Sequence, residues 1–226
     1  TQVKVCGVTT EDDAQFAAEA GATFIGMILW PKSKRSISLE QGKKVAAAAR
    51  AAGAEPVGVF VSENAQEIVS ACEEVGLEYA QLHGDASRDA LKDIPNRLKV
   101  IYVMNSSPEG ELQTPLPGQD DSTVNNVITG EQGWRKASDW MSRGRRTVDY
   151  ILVDGINPGS GETVDWSKLK VPRGASKKGW ILAGGLEAGN VGEALGQLHP
   201  NIVDVASGVT MNDGVQKDPE RVKAFM

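Results

Sequence analysis

Four side chains in this sequence have the chemistry to move a proton or hold an anion, and they recur at one kind of position. Cys6 ends the short run 3–6, Arg35 lies in the loop that follows the run 24–29, His83 follows the run 79–82, and Asp154 follows the run 150–153. A thiol can serve as nucleophile or base, a carboxyl as acid or base, and a guanidinium as the partner of an anion. Beside them stand two pairs of small residues, Gly184-Gly185 after the run 180–183 and Ser207-Gly208 after the run 202–206. Small residues at a strand end leave peptide N–H groups uncovered, and a following helix adds the positive end of its dipole. The combination suits a phosphate dianion.

Each of these residues has a plainer reading. A cysteine at a strand end is often a small buried hydrophobe, an aspartate after an apolar run often caps a turn, and glycine pairs serve tight turns. Arg35 lies in a basic cluster with Lys32 and Lys34 that fits a solvated surface, and His83 before Gly84 fits a carbonyl partner. Their shared position at strand ends weighs for function. With two histidines and two dispersed cysteines in the chain, no metal site is expected.

The elements that must position these residues follow from periodicity. Eight short β-type runs, at 3–6, 24–29, 56–61, 79–82, 99–103, 150–153, 180–183 and 202–206, alternate with helical patterns. The helices are expected from Thr10 to Gly21, from Ser38 to Gly53, at 64–75, 87–94, 131–143 and 190–198, and from Asp218-Pro219 onward. Ser38 with Gln41 forms a capping box, and Pro219 suits a first helical position. Alternation of this kind implies α/β architecture with a parallel sheet, and eight repeats imply closure into a (β/α)8 TIM barrel. The last two loops of such a barrel commonly hold phosphate. A doubly wound open sheet is the runner-up, weakened by the lack of Gly-x-Gly-x-x-Gly after the first run. The rhythm breaks at 105–147, where prolines and glycines sit among polar residues. That stretch is expected to be an insertion between strands five and six of one catalytic domain, 1–226, with 108–129 mobile and off the site.

The chain of 226 residues is long enough for one large core, and 24 Lys+Arg against 30 Asp+Glu leave a net charge of -6. That balance argues against nucleic acid or acidic lipid as a partner, so an anionic small molecule would need local help. No apolar run approaches a membrane span. Cys6 and Cys72 are too few for a disulfide framework and suit a reducing compartment, with Cys72 read as core.

Six segments in combination resemble the phosphoribosylanthranilate isomerase family of tryptophan biosynthesis. They are Lys4-Val5-Cys6-Gly7-Val8-Thr9, Pro31-Lys32-Ser33-Lys34-Arg35, Gln81-Leu82-His83-Gly84, Ile151-Leu152-Val153-Asp154 with Gly159-Ser160-Gly161 and Asp165-Trp166, Leu182-Ala183-Gly184-Gly185-Leu186, and Asp204-Val205-Ala206-Ser207-Gly208-Val209. The resemblance runs in order through nearly the whole chain outside 105–147. It implies a single TIM barrel that performs an Amadori rearrangement without a cofactor on a phosphorylated small molecule. It implies Asp154 as general acid and Cys6 as general base. A free thiol titrates at roughly 8.5, so, apart from the resemblance, rim cations such as Lys4 or Arg35 are expected to favour the thiolate. The resemblance further implies Arg35 at the anthranilate end, Asp204 at the sugar hydroxyls, His83 as a lesser contributor, Gly159, Ser160 and Gly161 as a flap, and Gly184, Gly185, Ser207 and Gly208 as the phosphate seat. Ala206 and Thr210 depart from the family's more frequent residues. The wording of 150–154 and 214–218 is most similar to the plant and algal branch, which implies a plastid address with the transit peptide absent from this chain. Oligomeric state stays open, with a monomer favoured. Another phosphosugar barrel enzyme, or a barrel that only binds a phosphorylated metabolite, is the alternative. Indole-glycerol-phosphate synthase relies on rim lysines, and no run here ends in one.

Overall fold

The computed structural model describes residues 1–107, 109–114, 148–155, 166–169, 171 and 174–226. Eight strands pair in chain order, each parallel to its neighbours, and the last returns to the first to close a barrel. They are β1 Gln2–Cys6, β2 Phe24–Ile28, β3 Glu55–Phe60, β4 Tyr79–Leu82, β5 Lys99–Ser106, β6 Tyr150–Gly155, β7 Trp180–Leu182 and β8 Ile202–Val205. Between them run α1 Glu11–Glu19, α2 Leu39–Ala51, α3 Ala65–Val75, α4 Asp85–Asp89, α5 Val191–Leu198 and α6 Pro219–Phe225.

The helices start where polar side chains meet free N–H groups. Thr10 accepts from Asp13 N, Ser38 from Gln41 N, and Asn64 from Glu67 N with the Glu67 carboxylate returning to Asn64 N. The expected box at Ser38 forms only in its forward half, because the Gln41 amide reaches instead to Thr9 O and the Glu11 carboxylate. Asp218 caps α6 through Glu220 N and Arg221 N, with Pro219 at its first position.

Alternation along the strands divides the core in two. Val5, Ile25, Met27, Val100, Ile151, Val153, Val203 and Val205 belong to a cluster shared with the helices. Phe24, Val57, Tyr79, Ile101, Val103, Tyr150, Leu152, Ile181, Ala183 and Ile202 form a second cluster, the filling of the barrel. Because side chains alternate with a period of two, residues two further along each strand point to the same interior, and these include Cys6, His83, Asp154 and Asp204. A one-residue slip in any strand would turn its polar residue into the helix layer.

The strand boundaries agree with the sequence to within a few residues, with one informative difference. Asn105 and Ser106, which the composition puts in the insertion, pair with Asp154 and Gly155 as the end of β5. The chain then folds back: Leu112 bridges to Ser106 antiparallel, Gln113 N donates to Asn105 O, and Thr114 is buried. Apolar Leu112 packs on the core, which a count of prolines and glycines does not register. Residues 115–147, with the helix expected at 131–143, lie outside the described residues.

Candidate active site

Eight of the twelve residues singled out by sequence line one cavity of about 300 Å3 at the C-terminal mouth of the barrel: Cys6, Arg35, His83, Asp154, Gly184, Gly185, Asp204 and Ser207. Gly208 stands one step behind the wall, its backbone pressed so close to Leu186 that a Cβ would lie 2.1 Å from that carbonyl oxygen. Gly159, Ser160 and Gly161 lie outside the described residues. Ile28, Trp30, Val59 and Val61 add an apolar wall on the side of β2 and β3.

Asp154 is 7% exposed at the end of β6, and its Oδ1 accepts from Gly155 N at 2.8 Å. Burial pushes its pKa up to about 7, helped by the nearby Asp204 carboxylate and opposed by the Gly155 N–H and Lys4. Gly184 (φ +89°) makes room for it, since a Cβ there would stand 2.9 Å from Asp154 Oδ1. His83 Nε2 faces Asp154 Oδ2 at 3.6 Å, while its Nδ1 lies 3.0 Å from Gln81 Nε2. With the Gln81 amide donating, the ring hydrogen belongs on Nε2. Burial first, then the positive charges of Lys4 and Arg88, push the His83 pKa down to about 4, so the ring is neutral. Among the described residues, the Gln81 Oε1 and His83 Nε2 have no hydrogen-bond partner. In a cavity, such atoms await a polar ligand or water.

Cys6 ends β1. Its thiol is pushed up, not down: burial dominates, and Asp204 adds to it, against Lys4 and Lys217, which favour the thiolate. Lys4 is not the rim cation expected from the sequence but a fully buried one. Its Nζ donates to Asp204 Oδ1 at 2.9 Å, and the two residues face each other directly in the β1–β8 register. Burial opposes the charge on Lys4, yet Asp204 and Cys6 together raise its pKa. Arg35 is 7% exposed; its stem crosses over Gly7, and its Nε donates to Gly214 O at 2.8 Å.

Sequence reasoning missed three contributors. Gly26, opposite Cys6 in the β1–β2 register, opens the space into which Cys6 Sγ and Lys4 Nζ reach. Gln81 shares the inward face of β4 with His83, a signal that alternation alone carried. Lys217, 1% exposed, donates from Nζ to Cys6 O at 2.6 Å and Ala206 O at 3.1 Å, tying the end of β1 to the end of β8. Burial pushes its pKa down to about 8.

The small-residue pairs differ from expectation in one respect. β8 runs into a three-residue 3-10 turn, Ser207–Val209, and no α-helix starts there. α5 begins after Asn190, whose amide bonds Gly185 O at 2.8 Å. Any anion at this wall would therefore meet peptide N–H groups more than a helix dipole. Among the described residues, no group of three or more His, Cys, Asp or Glu could hold a metal ion.

A family model for N-(5'-phosphoribosyl)anthranilate (PRA) isomerase matches residues 3–226. The chain is 41% identical over 224 residues to the chloroplastic N-(5'-phosphoribosyl)anthranilate isomerase 1 of Arabidopsis thaliana, covering 99% of this chain and 73% of that protein. Phosphoribosyl anthranilate isomerase from Thermotoga maritima aligns with a TM-score of 0.74 at 31% identity, over 100% of this chain and 96% of that one. A phosphoribosyl anthranilate isomerase in complex with reduced 1-(o-carboxyphenylamino)-1-deoxyribulose 5-phosphate aligns with a TM-score of 0.72 at 28% identity, over the same shares.

Proposed function

The chain belongs to the N-(5'-phosphoribosyl)anthranilate isomerase family, and we propose that it rearranges N-(5'-phosphoribosyl)anthranilate to 1-(2-carboxyphenylamino)-1-deoxyribulose 5-phosphate with Asp154 as acid and Cys6 as base. It is an isomerase of tryptophan biosynthesis acting on a phosphorylated small molecule. Opening the furanose needs a proton on the ring oxygen as its bond to C1 breaks. The iminium that results is relieved when C2 loses its proton and the C–H electron pair moves toward nitrogen. The enaminol then moves its hydroxyl proton away and gains one at C1, so the isomerisation consumes no proton overall. The observation that carries this reading is a carboxyl whose burial lifts its pKa to about 7, in one cavity with a thiol from the opposite side of the barrel. A carboxylic acid still protonated near neutral pH is what ring opening requires.

Under the same reading Arg35 takes the anthranilate carboxylate, beside an apolar wall suited to an aromatic ring. Asp204 takes sugar hydroxyls, and neutral His83 supports the Asp154 carboxyl. Gly184, Gly185, Ser207 and Gly208 offer the phosphate seat, and Gly159, Ser160 and Gly161 a flap over the bound ligand. The chain acts as one catalytic domain and a monomer, in a plastid, as the chloroplastic relative suggests. The test is turnover of N-(5'-phosphoribosyl)anthranilate by the purified protein. A folded chain that leaves this substrate untouched overturns the reading.

A further inference from the structure

We propose that Lys4 is a positioning residue for this reaction: its ammonium, held by Asp204, is the counter-charge that carries the Cys6 thiolate. Lys4 and Cys6 alternate on β1 and so point into the same interior. Their side chains converge on the space that Gly26 leaves open across the β1–β2 pair, where a Cβ would stand 2.8 Å from Cys6 Sγ and 3.1 Å from Lys4 Nζ. Asp204 stands on the other side, opposite Lys4 in the β1–β8 register, and accepts its hydrogen bond. Lys4 is 0% exposed and Asp204 8%. Burying such a pair is a poor way to gain stability, because two apolar residues of the same volume would serve as well or better. Its orientation gives it another use. The cation lies toward the thiol, and the anion acts on Asp154, so one buried dipole pushes the proposed base toward its charged form and the proposed acid toward its neutral form.

Among the described residues, the other charged or titratable groups around Cys6 are Lys217 on its carbonyl, Arg35 over Gly7, and Asp154 and neutral His83 across the cavity. Of the cations, Lys4 acts on the thiol more strongly than Lys217. In the C2 step the substrate C–H bond breaks and an S–H bond forms. The C–H electron pair neutralises the iminium, and the Lys4 proton does not move. Lys4 is then left with Asp204 alone.

The catalytic consequence rests on Cys6 being the base, but the electrostatic claim can be read without substrate. The experiment is the rate of alkylation of Cys6 by iodoacetamide at pH 8, with the modified cysteine located by mass spectrometry. Lys4→Met is expected to slow it at least about tenfold, the low end of what a close opposite charge does to a pKa. Asp204→Asn is expected to quicken it, because the thiolate loses a nearby anion and Lys4 loses its competing partner. The double variant, which keeps the volume and removes both charges, should stay slow, and Lys4→Arg should recover part of the rate. Opposite signs from the two halves of one ion pair are what a merely structural role would not give. If Lys4→Met does not fold, Asp204→Asn and the double variant still carry the test. Equal or same-signed changes overturn the proposal. If the pattern holds while Cys6→Ala turns over normally, the base assignment falls and the ion-pair assignment stands.

Discussion

The two ends of the barrel interior are built from the same strands and follow opposite rules. At the lower end Phe24 meets Tyr79 edge to face at 5.5 Å and Tyr150 at 6.2 Å, and Lys178 Nζ donates to Tyr79 OH at 3.1 Å while lying over both tyrosine rings. Asp149, also at this end, accepts from Val100 N. Two to four residues further along the same strands, Tyr79 gives way to His83, Tyr150 to Asp154 and Ile202 to Asp204. There burial lifts one carboxyl and suppresses one imidazole, and the Gln81 Oε1 and His83 Nε2 lack partners among the described residues. A buried polar atom without a partner costs about 1–3 kcal/mol. One end of the barrel is thus organised for stability and the other spends some of it on a prepared site.

The comparison breaks most visibly if the mouth can be altered without chemical cost. Cys6→Ala and Asp154→Asn are each expected to lower kcat by roughly 10²- to 10⁴-fold, the usual worth of one positioned proton-transfer group, with KM little changed. Stability should move the other way for Asp154. Its folded pKa of about 7 lies above an unfolded value of about 3.9, so its contribution is fully present below pH about 4 and lost as pH rises through about 7. At pH 8 Asp154→Asn should therefore melt no lower than the parent; a clear drop in Tm would mean that the carboxylate is structural. At the floor the pattern should invert. Phe24→Ala is expected to cost about 3–5 kcal/mol in denaturant unfolding while kcat of the folded fraction stays within a few-fold. A comparable loss of kcat there would erase the division between the ends.

The smallest expected effect sharpens how the mouth works. The acid must be protonated and the thiol ionised, yet Asp154 titrates near 7 and Cys6 is pushed above its ordinary range. The productive form is then a minor tautomer of the singly protonated pair, whose population peaks between the two values. kcat/KM should accordingly fall about tenfold per unit as pH drops below 7. Asp154→Asn should remove the break near pH 7, so that residual activity keeps rising with pH toward the Cys6 value, and a break that survives near 7 belongs to another group.

Much of this was legible in the sequence because the barrel is a repeating device: a run of period two followed by a capped helix, eight times, puts strand ends on one rim. Cys6, His83 and Asp154 could be found by that rule alone, whereas Asp204, inside the run 202–206, comes only from the family resemblance. What escaped it depends on register and on distance along the chain. Gly26 matters because it stands opposite Cys6, which no local pattern states. Lys4 reads as a rim cation until the β1–β8 register buries it against Asp204. Lys217 is separated from its partner at Cys6 by 211 positions and sits in no regular element. The extension of β5 through Ser106 was hidden because polar Asn105 and Ser106 resemble loop residues, while their pairing is set by β6.

The bond from Lys217 to the Cys6 carbonyl also has a consequence for the order in which the protein comes into being. The thiol leaves the ribosome early, but the ammonium that anchors its strand end, and the β8 strand that supplies Asp204, come after every other strand. At about 5–20 residues per second, a separation of 211 residues is roughly 10–40 s of synthesis. For that interval the nascent chain carries Cys6 and Lys4 without Lys217 and without the Asp204 that holds Lys4, so the reactive centre is among the last parts of the barrel to be assembled although its first member lies on the first strand.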